Sequence, residues 1–152
     1  MKIITKNKRA FFEYHIFETL EAGIVLSGDE VKSIRKNKPS LEDSYVTVHA
    51  GNAQLLNCFI APYSHAFNRT NKEDSSRKSR RLLLNKKEIF QLVGEISRKG
   101  YTVIPLKMYF NAKSLVKLEI GLAKHKKLVD KKKTIKERDI QREVSRELKG
   151  FK

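Results

Sequence analysis

A single cysteine, Cys58, occurs in 152 residues, so the chain can build no internal disulfide framework. Its four histidines lie far apart and offer no metal-ligand spacing. No segment approaches the roughly 18 consecutive apolar residues of a membrane-spanning helix, and the opening MKIITKNKRAFFEYHIF is broken by charge too often for a signal peptide. Catalytic signatures are missing as well: no Ser, Cys or His sits in a nucleophile elbow, and no glycine-rich phosphate loop occurs. These absences exclude a disulfide scaffold and a membrane span, require no metal or cofactor, and predict a soluble, cytoplasmic protein without catalytic machinery.

Acidic residues are also scarce. Asp and Glu total 17 against 33 Lys and Arg, a net charge of +16. Such an excess repels itself in a compact state and points to a polyanionic partner, nucleic acid before an anionic membrane surface. The cations gather in four runs: Lys2 to Arg9, Arg77 to Arg81, Lys124 to Lys127, and Lys131 onward. Each phosphate contact adds salt-sensitive counterion release, so a small domain with several basic edges is suited to grip a folded RNA along its backbone. Aromatic residues interleave at Phe11, Phe12 and Tyr14 and again at Tyr109 and Phe110. They are placed either to stack on unpaired bases or to pack in the core.

The length suits one domain with tails, and most of it reads with a period of two. In SLVKLEIGL, Val116, Leu118, Ile120 and Leu122 point one way while Lys117 and Glu119 point the other, as in a strand with one buried face. YHIFETL near 14–20 and SYVTV near 44–48 read alike, and Gly51-Asn52 supplies a turn to QLLNCFI, predicting a hairpin over 44–60. After Gly100, YTVIPLKMYFN reads as a longer strand with Pro105 at an edge or bulge. Two helices interrupt the strands. Ser27 caps the first with Glu30 reaching back to it, and Asn85 with Glu88 starts a second that buries Ile89, Leu92, Val93 and Ile96 and ends at Gly100. The expected fold is mainly β: a small antiparallel barrel of oligonucleotide-binding type, with two or three short helices and a basic C-terminal tail, closure removing exposed sheet edges. An open sheet with two helices on one face is the alternative.

Residues 68–81, NRTNKEDSSRKSRR, hold nothing apolar to bury and read as a mobile surface loop. Asp29-Glu30 invites an acid–base or magnesium reading, but the capping box accounts for Glu30 and the helix N-terminus favours Asp29. Glu42-Asp43 reads as a turn before a strand, and Cys58, within an alternating apolar run, as a core residue. The division is therefore a barrel over 1–127 and a basic tail over 128–152. In the tail, Thr134 and Glu137 read as a further capping box, with Ile140, Val144 and Leu148 in one row and Arg138, Arg142 and Arg146 in another. So thin an apolar stripe does not stabilise an isolated helix. The tail is expected to be disordered when free and helical against RNA.

NKRAFFEY at 7–14, TLEAGIVLSGDEVKSIR at 19–35, LEDSYV at 41–46, RRLLLNKKEI at 80–89, KGYTVIPL at 99–106 and KLEIGLAKHKKLVDKK at 117–132 resemble the small protein B family, in order from about Asn7 to Lys132. The resemblance implies a non-enzymatic adaptor that binds the tRNA-like domain of tmRNA. It carries that RNA, alanylated and with elongation factor Tu, into the empty A site of stalled ribosomes for trans-translation. By position it implies RNA-binding roles for Asn7, Glu21, Leu83 and Lys117, joined by the basic Lys8, Arg9, Lys124, Lys126 and Lys127. It implies a ribosome-contacting tail through Asp130, Lys131, Lys132, Lys133, Arg138, Arg142 and Arg146, directed at the decoding centre, the vacant mRNA channel and small-subunit rRNA. A monomer is expected, with no membrane partner. The chain departs from the family at His125, usually glycine, at Val129, often aromatic or histidine, and at Ser76, usually proline. Two rival readings from the residues are a ribosomal or cold-shock-like RNA-binding protein and a metal-dependent nuclease using Asp29, Glu30 or Asp43.

Overall fold

The alternating segments fold into one antiparallel sheet that closes on itself. The computed structural model describes residues 2–63 and 76–150, without the side chains of 128–130 and 148–150. In chain order the elements are β1 (Lys2–Lys6), α1 (Lys8–Glu13), β2 (Tyr14–Ile24), α2 (Gly28–Lys36), β3 (Tyr45–His49) and β4 (Asn52–Leu56). They continue with β5 (Arg80–Leu83), α3 (Lys86–Lys99), β6 (Thr102–Phe110), β7 (Val116–His125) and α4 (Leu128–Gly150). The sheet runs β1-β6-β3-β4-β5-β2-β7, and β6 also pairs with β7. That last pairing joins the two sides, so β6, β3, β4, β5, β2 and β7 form a ring and β1 extends the free length of β6. An open sheet is thereby excluded. The ring fits the oligonucleotide-binding-type barrel expected.

Inside it, Leu55, Met108, Leu118 and Ile120 are essentially without exposure, with Leu92 of α3 and Ile34 of α2 closing the ends. Pro105 fits by the route expected of a strand proline: the β6–β7 register shifts between Pro105 and Lys107. The β3–β4 hairpin forms, but its two-residue turn is Ala50–Gly51, with φ of 50° and 76°, and Asn52 already pairs with His49. Two left-handed residues match the right-handed strand twist, and glycine serves the second at no steric cost.

The helix starts form as the residues require. Ser27 Oγ accepts from Glu30 N at 3.2 Å while Ser27 N donates to Glu30 Oε1 at 3.1 Å, a complete capping box. Asn85 N donates to Glu88 Oε2 at 3.2 Å, and Gly100 ends α3 at φ 66°. Val93 differs from expectation, lying 43% exposed, because α3 is seated through Leu92 with Ile96 against the barrel.

Three further segments differ. KIITK reads from sequence as a basic start, yet it is β1, with Thr5 buried and Ile4 packed on the core. KRAFFE forms α1, whose Ala10 sits with Ile104, Leu106 and Ala123 in a second small core outside the barrel wall. The loop read over 68–81 falls within the described residues only from Ser76 on. Its last two residues, Arg80 and Arg81, begin β5. Among the described residues, no helix is long and apolar enough to cross a membrane.

Candidate nucleic-acid interface

The barrel brings together three residues that are distant in sequence. Gly23 of β2 pairs with Leu83 of β5 on one side and with Lys117 of β7 on the other, and Glu21 lies two residues earlier on the same outward face. A Cβ at Gly23 would stand 3.2 Å from Leu83 Cβ, so the glycine lets the strands approach and leaves Leu83 54% exposed. Beside it, Leu115, Val116 and Lys117 border a shallow depression of ≈ 360 Å³ that reaches Val31 of α2.

Glu21 has a protein donor. Tyr109, a residue 5% exposed, donates its OH to Glu21 Oε2. The tyrosine hydroxyl is pushed well above its ordinary value by burial first and then by this bond and the neighbouring carboxylates, so it stays a donor at neutral pH. Glu21 faces Glu119 across the β2–β7 pair. Lys107 Nζ stands 3.3 Å from Glu119 Oε2 and 5.7 Å over the Tyr109 ring. Tyr109 is therefore no free stacking platform; of the aromatics singled out, Phe11 is the most open, at 50%.

A second group gathers at the other end of the same strands. From Lys117 to His125 along β7 is roughly 26 Å at about 3.3 Å per residue. Here α1 lies beside the end of β7: Lys126 N donates to Glu13 O at 2.8 Å, and Lys126 Nζ reaches Phe11 O at 3.2 Å and Thr134 Oγ1 at 2.9 Å. Lys8, Arg9, Lys124 and Lys127 are exposed around this joint. Arg9 is held by Glu13 Oε1 at 2.9 Å, with Asp43 Oδ1 at 3.7 Å. Asn7 is 6% exposed and fully engaged: Oδ1 accepts from Ala10 N at 3.3 Å, while Nδ2 donates to Pro105 O at 2.9 Å and Leu41 O at 3.4 Å. Its side chain fixes α1 onto the barrel and so sets where Lys8 and Arg9 stand. His125 packs its ring 4.1 Å from that of Tyr14.

The tail leaves this joint as the single helix α4. Thr134 lies inside it, so the predicted capping box at Thr134 and Glu137 is not a helix start; the helix begins at Leu128, and the Thr134 hydroxyl is taken by Lys126. Lys132, Lys133, Arg138, Arg142 and Arg146 are exposed and Lys131 half-buried. Asp130 and Val129 lie in the helix, their side chains outside the described residues. Ile135, Ile140 and Val144 are each about half exposed, at 47%, 51% and 49%. Among the described residues, Arg138, 5.8 Å from the Phe12 ring, and Thr134, through Lys126, contact the barrel side.

One member of the basic runs is not at the surface. The Arg80 side chain is 1% exposed and lies 2.5 Å from Glu30 Oε2. It also donates to the carbonyls of Cys58 at 2.7 Å, Lys78 at 3.1 Å and Ser76 at 3.2 Å. The Ser76 carbonyl also accepts from Ile60 N at 2.9 Å. Glu30 Oε1 is used by Ser27 N and by Lys78 Nζ at 3.3 Å. Both carboxylate oxygens thus serve the fold. Among the described residues, no three His, Cys, Asp or Glu side chains are grouped to hold a metal. Cys58 is wholly buried, as its alternating run predicted.

The chain is similar to known proteins along nearly its whole length. The family model described as SmpB protein matches residues 4–150. The SsrA-binding protein of Coprothermobacter proteolyticus is 52% identical over 147 residues, covering 97% of each chain. That of Caulobacter vibrioides is 49% identical over 149 residues, covering 98% of this chain and 96% of its own. A chain of the solved structure described as "tmRNA-SmpB: a journey to the center of the bacterial ribosome" is similar at a TM-score of 0.65 and 41% identity, over 82% of this chain and 85% of that one.

Proposed function

The chain belongs to the SmpB protein family, and on that premise we propose that it is an RNA-binding adaptor that binds the tRNA-like domain of tmRNA and delivers it to the A site of stalled ribosomes. The family is one of RNA-binding adaptors, not of enzymes. The observation that carries the reading is the convergence of Glu21, Leu83 and Lys117 on one outward face. An apolar ledge beside a cation and a hydrogen-bonding carboxylate suits an unpaired base, its phosphate and a 2′-hydroxyl or amino donor. The second group, Lys8, Arg9, Lys124 and Lys127, adds sequence-independent backbone contacts, while Asn7 and Lys126 act by holding α1 and the tail in place.

Residues 1–127 then form the RNA-binding domain and 128–152 the tail. With its apolar row half exposed, an isolated α4 is marginal in water. It is disordered in the free protein and becomes helical on the ribosome, where Asp130 to Lys133 and the row Arg138, Arg142, Arg146 meet small-subunit rRNA at the decoding centre and along the mRNA channel. The adaptor works as a monomer in the cytoplasm and meets elongation factor Tu through alanyl-tmRNA. A nuclease centred on Glu30 is disfavoured by the engagement of both its carboxylate oxygens.

Truncation after Lys127 separates the two parts. The truncated protein should keep the wild-type affinity for a tRNA-like RNA, while tagging of peptides on stalled ribosomes is lost. Loss of RNA affinity together with tagging would refute the division, and tagging by the truncated protein would refute the role of the tail.

A further inference from the structure

The four basic runs do not include a cationic face that the fold builds on α2. Lys32, Arg35 and Lys36 fall at i, i+3 and i+4 and are all exposed, as is Lys38 just past the helix end. Arg35 and Lys36, in the last turn, are favoured by the helix dipole, but Lys32 sits mid-helix, where a like charge four residues on is destabilising. Several other cations of the domain do have carboxylate partners: Lys107 with Glu119, Arg9 with Glu13, Lys99 with Glu95. Among the described residues, no carboxylate lies within ion-pair distance of Lys32, Arg35, Lys36 or Lys38. Their neighbours are aromatic instead. Arg35 stands 5.8 Å from the Phe110 ring, and Lys32 and Lys36 stand 5.7 and 5.3 Å from that of Tyr63. A guanidinium or ammonium over a ring is attracted without being neutralised.

The position of this face links it to the depression beside Leu83 and Lys117. Val31 of α2 and Ser114 of the β6–β7 turn border that depression. Arg35, one helical turn after Val31, joins the same Ser114 with Lys2, Phe110 and Asn111 around a second, open hollow. The turn between them is tied by its own side chain: Asn111 Oδ1 accepts from Lys113 N at 3.0 Å and Leu115 N at 2.9 Å, and Ser114 holds φ 61°. It presents Leu115 55% exposed at the rim.

We infer that α2, with Lys2 and the β6–β7 turn, is a further RNA-binding surface that takes the phosphate backbone of a strand leaving the Leu83–Lys117 depression. The inference rests on the RNA-binding reading above and extends it to Lys2, Lys32, Arg35 and Lys36. Its ligand is a run of phosphodiesters: the surface is cationic and pre-arranged, and open rather than shaped around one base. That backbone belongs either to the tRNA-like RNA itself or to ribosomal RNA beside it, and the two are told apart by the RNA used.

The test is the full-length triple variant Lys32→Gln, Arg35→Gln, Lys36→Gln, titrated by fluorescence anisotropy against a labelled tRNA-like RNA and against small ribosomal subunits over a range of KCl. All three positions are exposed, so the thermal midpoint should match wild type. Two or three lost phosphate contacts should lower the slope of log Kd against log [KCl] by about 2, at roughly 0.7 to 0.9 per phosphate. A lowered slope with the tRNA-like RNA assigns the surface to that RNA; one seen only with subunits assigns it to ribosomal RNA. Unchanged slopes with both overturn the inference. If the wild-type protein itself shows no preference for the tRNA-like RNA, the adaptor reading fails, whatever the variant does.

Discussion

Substitution of Arg80 by Met should be among the most destabilising single changes in this chain, although Arg80 belongs to a basic run that reads as RNA-binding. Its guanidinium is buried and satisfied by the Glu30 carboxylate and three main-chain carbonyls. Removing one partner of a buried ion pair leaves the other charge uncompensated, which costs roughly 3 to 5 kcal/mol. Here the Cys58, Lys78 and Ser76 carbonyls lose a donor as well. Lys78 still faces Glu30 at 3.3 Å, which places the expected loss near the lower end of that range. For a domain of this size each kcal/mol moves the midpoint by about 2 to 4 °C, so Arg80→Met should melt some 6 to 12 °C below wild type. Urea unfolding followed by circular dichroism measures the loss directly, and Glu30→Gln with the double variant completes a cycle whose coupling should exceed about 1 kcal/mol. The pH dependence carries a defined sign. Burial opposes ionisation of Glu30, but the Ser27 hydrogen bond and the Arg80 and Lys78 cations outweigh it and hold the carboxyl below its ordinary 4.5. A depressed carboxyl contributes stability that is complete above the unfolded value and is lost as pH falls through the folded one. Wild type should therefore lose stability below pH 4.5 more steeply than Glu30→Gln. An Arg80→Met protein within about 1 kcal/mol of wild type, but with weakened RNA binding, would refute the reasoning and return Arg80 to the interface.

Glu21→Gln keeps an acceptor for the Tyr109 hydroxyl and should bind the tRNA-like RNA more weakly at an unchanged melting point; Glu21→Ala also orphans that buried hydroxyl and should cost about 1 to 3 kcal/mol, and equal binding by both variants and wild type would remove Glu21 from the interface. Asn7→Asp retains the cap to Ala10 but faces the Pro105 and Leu41 carbonyls with an acceptor, so thermal melting should show a loss of roughly 1 to 3 kcal/mol; a wild-type midpoint would contradict the structural role given to Asn7. Burial, against smaller opposing effects of Arg80 and Arg77, lifts the Cys58 thiol from 9.0 to about 11, cutting its thiolate population about a hundredfold, so the native protein should resist a thiol-specific reagent at pH 8 and react in urea, and rapid labelling of the folded protein would show the site to be open.

The period-two segments were legible because both faces of a barrel wall announce themselves: Leu118 and Ile120 inward, Lys117 and Glu119 outward. Capping at Ser27 and the Gly100 stop were legible because they are local chemistry. What stayed hidden was set by tertiary pairing. KIITK becomes β1 only because β6 runs long enough past β3 to offer its edge to a second strand. KRAFFE becomes α1 because Asn7 caps it and the outer wall at Ile104 and Leu106 receives Ala10. Arg80 looked like surface because charge in a run gives no sign of burial; the signal available was Glu30, whose capping role left a second carboxylate oxygen to be satisfied. At the interface, the members Glu21, Leu83 and Lys117 came from family resemblance, and their juxtaposition required the β5–β2–β7 register. The α2 face is not legible as a run because its cations stand at helical spacing and the rings beside them come from Tyr63 and Phe110.

The cationic barrel recognises a tRNA-shaped RNA and does not merely attract polyanions. The most direct measurement is competition at physiological salt, with labelled tRNA-like RNA bound to the full-length protein and displaced by unlabelled tmRNA, tRNA or a length-matched RNA duplex. Displacement by tmRNA at concentrations at least about a hundredfold below those needed of the duplex, about 2.7 kcal/mol of discrimination, is the expected result. Equal displacement by all three would contradict the account.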